Sequence, residues 1–148
     1  MRSLIQRVSQ ASVEVHGGII AEISEGFLIL FCAMKGDTKT KAELLAKKVA
    51  NLRVFEDKNG KMNYSLMDTH GSVLVISQFT LGADTSRGNR PGFSGTASPE
   101  EGAQLYQHFC RTLSEFGILT KLGKFGATMR VKLTNEGPVT VWLDTEKG

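Results

Sequence analysis

Three side chains able to hydrogen-bond, Ser77, Gln78 and Thr80, follow directly on the apolar run Val73-Leu74-Val75-Ile76. Such a run reads as a buried strand, so polar groups at its end must find partners. Either they cap neighbouring backbone or they face a ligand, and the residues alone leave both open. A second stretch, Val131 to Asp144, sets two β-branched runs on either side of Asn135-Glu136-Gly137-Pro138. That pattern predicts a hairpin with Gly-Pro at its tip. At an X-Pro bond the cis form lies only about 0.5–1 kcal/mol above trans. A cis bond before Pro138 would point two successive carbonyl oxygens the same way, a pair of acceptors made without a side chain; an ordinary trans turn is the plainer reading. A third stretch, the loop from Gly82 to Ala97, holds Arg87, Arg90 and Phe93 with little apolar content. Loops of this length tend to be functional or mobile, and arginines beside an aromatic suit phosphate and base contacts.

The usual hydrolytic equipment is missing. The chain has no G-x-S-x-G elbow, no HExxH and no P-loop, and none of His16, His70 and His108 neighbours a candidate nucleophile. An enzyme built this way would rely on positioned backbone groups, with substrate or water supplying the reactive hydroxyl. Cys32 and Cys110 lie in apolar surroundings and share no metal-ligand spacing with the histidines, so both read as buried thiols and no metal or cofactor is expected.

These groups need elements to hold them. Residues 2–8 and 11–15 alternate as strands, and Gly26 opens the unbroken apolar run Phe27 to Phe31, suited to a strand covered on both faces. Helical spacing takes over from Thr38 to Leu52, with Ala42, Leu45, Ala46, Val49 and Leu52 on one side; its lysines read as a solvated face. Asp57-Lys58-Asn59-Gly60 is a turn. Ser98-Pro99-Glu100-Glu101 starts a second helix that buries Tyr106, Phe109, Cys110, Leu113 and Phe116 and stops at Gly117. Final strands are predicted over residues 118–122, 128–133 and 139–143. The order gives an α+β fold: a β-rich single domain over residues 1–148, with twisted antiparallel or mixed, barrel-like sheets covered by two helices.

Composition supports one domain. The chain has 148 residues, 41% hydrophobic and 22% charged, enough for one core. Eighteen Lys and Arg against 15 Asp and Glu leave a net charge of +3, which permits an anionic partner without requiring one. The N-terminus enters an alternating pattern without the apolar core of a signal peptide, and no apolar stretch is long enough to span a membrane. A soluble cytoplasmic protein is expected.

Ser77-Gln78-Phe79-Thr80-Leu81 together with Asn135-Glu136-Gly137-Pro138-Val139-Thr140 closely resembles the two signature motifs of the D-aminoacyl-tRNA deacylases, also called D-tyrosyl-tRNA deacylases. Further matches run the length of the chain: Ile5-Gln6-Arg7-Val8, Gly60-Lys61-Met62-Asn63, Arg87 to Pro91, and Phe125-Gly126-Ala127 before Met129. The resemblance implies a homodimer that acts on the acceptor end of aminoacyl-tRNA. It would hydrolyse the ester of a D-amino acid, or of glycine mischarged on the alanine tRNA. It implies that Gly137-Pro138 is cis, reaches into the partner's pocket, and holds the α-amino group while leaving no room for an L side chain. Ser77, Gln78, Phe79 and Thr80 would line the catalytic pocket, with backbone N–H groups near Phe79 and Thr80 facing the oxyanion. Phe93 and Met129 would form an adenine-binding wall, and Arg7 would brace the Gly-Pro loop. Thr80 looks like a nucleophile but has no evident base, so hydrolysis assisted by the ribose 2′-hydroxyl fits better. Two rivals stand beside this: an editing hydrolase for a misactivated L-aminoacyl-tRNA, and a non-catalytic RNA- or nucleotide-binding module.

Overall fold

One strand carries the architecture. In the computed structural model, which describes residues 1–147, β1 (Arg2–Val15) runs unbroken where two shorter strands were expected. β8 (Arg130–Asp144) pairs with it antiparallel along one edge. Along its other edge, residues 2–8 pair with β3 (Gly26–Cys32) and residues 11–15 with β2 (Gly18–Ile23). β3 then pairs in parallel with β6 (Ser72–Ser77), and β6 in parallel with β7 (Thr120–Leu122). The result is a six-stranded, mixed, barrel-like sheet. A small hairpin of β4 (Phe55–Glu56) and β5 (Met62–Tyr64) closes around the Asp57–Gly60 turn.

Alternation on the two central strands builds a core on each face. Phe27, Ile29, Phe31, Val73 and Val75 point one way, into a cluster completed by two helices. Leu28, Leu74 and Ile76 point the other way, against Val8, Ala11, Val13 and Ile23. Burial on both faces is why β3 and β6 read as continuous apolar runs.

The helices follow their caps. Thr38 accepts from the Lys41 N–H and starts α1 (Lys39–Asn51), which buries Ala42, Leu45, Ala46, Val49 and Ala50. A single turn, α2 (Leu66–Thr69), carries a capping box in which Ser65 and Asp68 bond each other's backbone. It was not expected, being too short to show a period. Ser98 caps α3 (Pro99–Glu115), with Pro99 in its first turn. α3 buries Tyr106, Phe109, Cys110 and Leu113 against the sheet. The Tyr106 hydroxyl donates to the Val75 carbonyl at 2.7 Å, so its one polar atom is satisfied. Among the described residues, no helix is long and apolar enough to cross a membrane.

The expected hairpin at residues 131–143 is not one. Both arms pair with β1 in the same direction, so the chain does not reverse. Thr140 opposes Gln6 and Asn135 opposes Val8, which leaves residues 136–139 facing Arg7 alone. The Gly-Pro segment is therefore an outward bulge in one long strand. Turn residues between β-branched runs signal a break in the ladder, and whether the chain reverses depends on the partner strand.

Candidate active site

β6 ends beside β3, with Ser77 opposite Phe31, and the Gln78 N–H still donates to the Phe31 carbonyl at 2.7 Å. The chain then tightens into a 3-10 turn over Phe79–Gly82. The first N–H groups of any helical turn have no partner within it. Here the Phe79 and Thr80 N–H groups make no hydrogen bond among the described residues, while Leu81 and Ala83 donate back to Gln78 and Thr80. Two adjacent free donors at a pocket's edge suit an oxygen that acquires negative charge.

The pocket beside the turn encloses about 540 Å³ and is bounded by Ser77, Gln78, Phe79, Phe93 and Met129, among others. That size is usual for a small-molecule site, about 300–1,000 Å³. Phe79 is exposed and packs edge-on against Phe93, ring centres 5.0 Å apart. Phe93 reaches it because the loop from residue 83 to 97 is pinned at two places, Asp84 to Gly92 and Met34 to Thr96. Gly82 makes the second approach possible: a Cβ there would lie 2.3 Å from Thr96 Cγ2. The long loop is thus a tied wall. Arg87 and Arg90 are exposed on it and form no ion pair among the described residues.

The pocket is uncharged. Its wall holds no carboxylate, histidine, lysine or arginine, and its only ionisable group is the Cys32 thiol. Burial pushes that thiol above its ordinary value, more than the Arg2 charge pulls it down. It therefore stays protonated near neutral pH and is a poor nucleophile. Cys32 Sγ lies 3.5 Å from the Phe79 carbonyl oxygen, supporting the turn from below. Thr80 is exposed and is not part of the pocket wall; its Oγ1 accepts from the Gln78 side-chain amide. No base stands beside it. His16 lies at the β1–β2 turn, His70 ends α2, and His108 on α3 pairs with Glu43 of α1 at 2.8 Å.

Gly137 and Pro138 are exposed, joined by a cis peptide, and form no part of this chain's own pocket. The base of their bulge is held firmly. Arg7 donates from Nε to the Glu136 carbonyl at 3.0 Å and from Nη1 to the Val54 carbonyl at 2.6 Å. Asn135 Nδ2 donates to the carbonyls of Arg7 and Val139. The structure thus gathers Ser77, Gln78, Phe79, Phe93 and Met129 in one place, with Thr80 at its margin. Gly137, Pro138 and Arg7 form a second, separate group. Sequence reasoning assigned no role to Cys32, Thr96 or the start of α3, where Ser98, Pro99 and Gly102 also face the pocket. The sequence carried no signal for Cys32: it is the parallel register of β3 and β6 that places its neighbour Phe31 against Ser77.

A model of the family described as D-Tyr-tRNA(Tyr) deacylase matches residues 4–144. A D-aminoacyl-tRNA deacylase of Cereibacter sphaeroides (strain ATCC 17029 / ATH 2.4.9) is 57% identical over 145 residues, covering 98% of this chain and 100% of that protein. One from Thermosipho melanesiensis is 48% identical over 148 residues, covering 99% of each. A solved structure named c-Myc DNA Unwinding Element Binding Protein superposes with a TM-score of 0.92 at 39% identity, over 97% of this chain and 98% of that one. A probable eukaryotic D-amino acid tRNA deacylase gives a TM-score of 0.83 over 96% and 97%. At 17% identity that second likeness speaks for the fold alone.

Proposed function

The chain belongs to the D-Tyr-tRNA(Tyr) deacylase family and is a hydrolase of D-aminoacyl-tRNA, and we propose that the pocket beside Phe79 is where the ester is cleaved. The observation that carries this is an uncharged pocket whose margin offers two free backbone donors. Water adds to the ester carbonyl carbon, and the Phe79 and Thr80 N–H groups hold the oxyanion that forms. The carbon–oxygen bond to the terminal ribose then breaks. The proton lost by the water passes through the neighbouring 2′-hydroxyl to the departing ribose oxygen, leaving a free D-amino acid and tRNA. With no protein base at hand, substrate assistance fills the role.

Selection by handedness falls to the Gly137–Pro138 bulge, supplied by a second copy of the chain in a cytoplasmic homodimer. Three observations support the assignment: the bulge is exposed, it is anchored at its base by Arg7 and Asn135, and its own pocket does not use it. Its main-chain carbonyls receive the α-amino group, and the backbone occupies the space an L side chain would need. A barrier of backbone rejects L residues whatever their side chain, whereas a side-chain pocket would sort amino acids by type. Glycine has no side chain to reject, so glycyl-tRNA, including glycine mischarged on the alanine tRNA, is also hydrolysed. Phe93 and Met129 form the wall for the terminal adenine.

One assay tests the whole reading: matched D-, L- and glycyl-tRNA given to the purified protein. Turnover of the D and glycyl esters with the L ester untouched is expected. Preferential loss of an L ester would make this an editing hydrolase. The likeness to a structure named for DNA binding gives the non-catalytic reading one specific support; tight nucleic-acid binding without ester turnover would establish it.

A further inference from the structure

The two free donors at the pocket's edge are backbone groups, so they are aimed by whatever holds the peptide planes they belong to. A trans peptide is flat, with its carbonyl and its N–H on opposite edges. Gripping the carbonyl therefore turns the N–H the other way. Gly137–Pro138 is the only cis bond among the described residues, so both peptides concerned are trans.

The Phe79 N–H shares its plane with the Gln78 carbonyl, which accepts from the Leu81 N–H at 3.1 Å. Leu81 is fixed in turn at its other end, where its carbonyl accepts from Arg2 Nη1 at 3.0 Å. Arg2 comes from the start of β1, and its guanidinium has little freedom. Nε faces the nearly buried carboxylate of Asp144 at 3.5 Å, and the Trp142 ring centre lies 6.0 Å from the central carbon. A planar fork held at one nitrogen points the others in fixed directions.

The Thr80 N–H shares its plane with the Phe79 carbonyl. That carbonyl lies 3.5 Å from Cys32 Sγ and is the nearest of three acceptors around the thiol, the Ala33 carbonyl and the Met34 sulfur standing at 3.6 and 3.7 Å. Cys32 ends β3, and burial keeps its proton in place, so it can donate there. Each free N–H is thus backed by one side chain from a different strand, β1 for Phe79 and β3 for Thr80.

We propose that Arg2 and Cys32 are positioning residues for the hydrolysis: they grip the 3-10 turn from behind and hold the Phe79 and Thr80 N–H groups on the oxyanion. The proposal rests on the pocket beside Phe79 being the hydrolytic site. A well-aimed donor matters most where charge has formed, in the transition state rather than in substrate binding. Arg2→Met and Cys32→Ala should each lower kcat for D-aminoacyl-tRNA about tenfold to a hundredfold, with KM within twofold of the parent and the mass from light scattering unchanged. Arg2→Lys and Cys32→Ser, which keep a donor, should recover most of the loss. The turn can also be watched without turnover, through NMR relaxation of its amides. Phe79 and Thr80 should show order parameters of about 0.85 in the parent; Arg2→Met should bring Phe79 below about 0.6, and Cys32→Ala should do so for Thr80, while α3 keeps the parent's values. Unchanged kcat or unchanged amide order overturns the proposal. So does a loss of rate that comes with a change of mass, or one that the conservative variants share in full. If the amides loosen in variants of a parent that hydrolyses no D-aminoacyl ester, the clamp stands and the hydrolytic role of the pocket fails.

Discussion

At the scale of single residues, the pocket separates groups that look reactive from groups placed to act. Thr80 has the hydroxyl of a nucleophile, yet its oxygen accepts from Gln78 and no base adjoins it. Thr80→Ala should keep deacylation within about tenfold of the parent; a loss of about 10³-fold, roughly 4 kcal/mol, would restore it as nucleophile. Single-turnover rates on D-aminoacyl-tRNA decide this. Gly137 is the opposite case, a residue without a side chain whose replacement should matter. An alanine Cβ would lie 2.5 Å from Asn135 Oδ1 and 3.1 Å from the Val139 nitrogen. It would push aside the amide that ties the bulge to β1 and misplace the tip. kcat/KM on D-aminoacyl-tRNA should fall about 10- to 100-fold, as small misplacements of positioning groups do, while Tm shifts little. The polar types at residues 77–80 were legible as a problem in need of partners. The N–H groups near Phe79 and Thr80 were expected only through the family resemblance, because backbone donors leave no mark in side-chain spelling.

At the scale of elements, what could be read was what repeats. The α1 and α3 stripes and their caps at Thr38 and Ser98 follow periodicity and end chemistry, and both helices form where these place them. The continuous runs of β3 and β6 announced burial on both faces. β8 was misread because its partner is 116 or more residues away, and a local pattern cannot say whether a turn reverses the chain. The 83–97 segment looked unstructured for a similar reason: its ties are isolated bridges to residues outside any period. One of those ties is testable. Gly82→Ala would set a Cβ 2.3 Å from Thr96 Cγ2, costing about 1–3 kcal/mol through overpacking. Urea denaturation should show the loss. Thr96→Ser removes that methyl but keeps the hydroxyl that donates to the Phe93 carbonyl at 2.8 Å, so the double variant should recover part of the stability.

At the scale of the whole molecule, the core contains three ionisable groups held neutral by burial. Burial pushes the Cys110 thiol from 9.0 to about 12, raises Cys32, and raises the Tyr106 phenol as well. Each folded-state value exceeds the unfolded one, so above pH 9 or so the unfolded chain has given up protons that the folded chain still holds. Stability is intact below that point and falls as pH rises towards about 12. Tm measured from pH 8 to 11 should decline, and Cys110→Ala should flatten part of the decline; a level profile in the parent would contradict the account. The α+β class and its covering helices were readable because they depend on totals and periods. The relation of the bulge to a partner's pocket came only from the family resemblance and stays a proposal, since it needs distances that one chain does not span. Where β8 passes Arg7, four residues occupy the place of one, an excess of three. Excising residues 136–138 would leave Val139 opposite Arg7, with only the irregularity between Val8 and Gln10 remaining in the β1–β8 ladder. The proposed chiral gate is thus an addition to a sheet whose pairing continues on either side of it, so its length and composition can change while the flanking strands keep their partners.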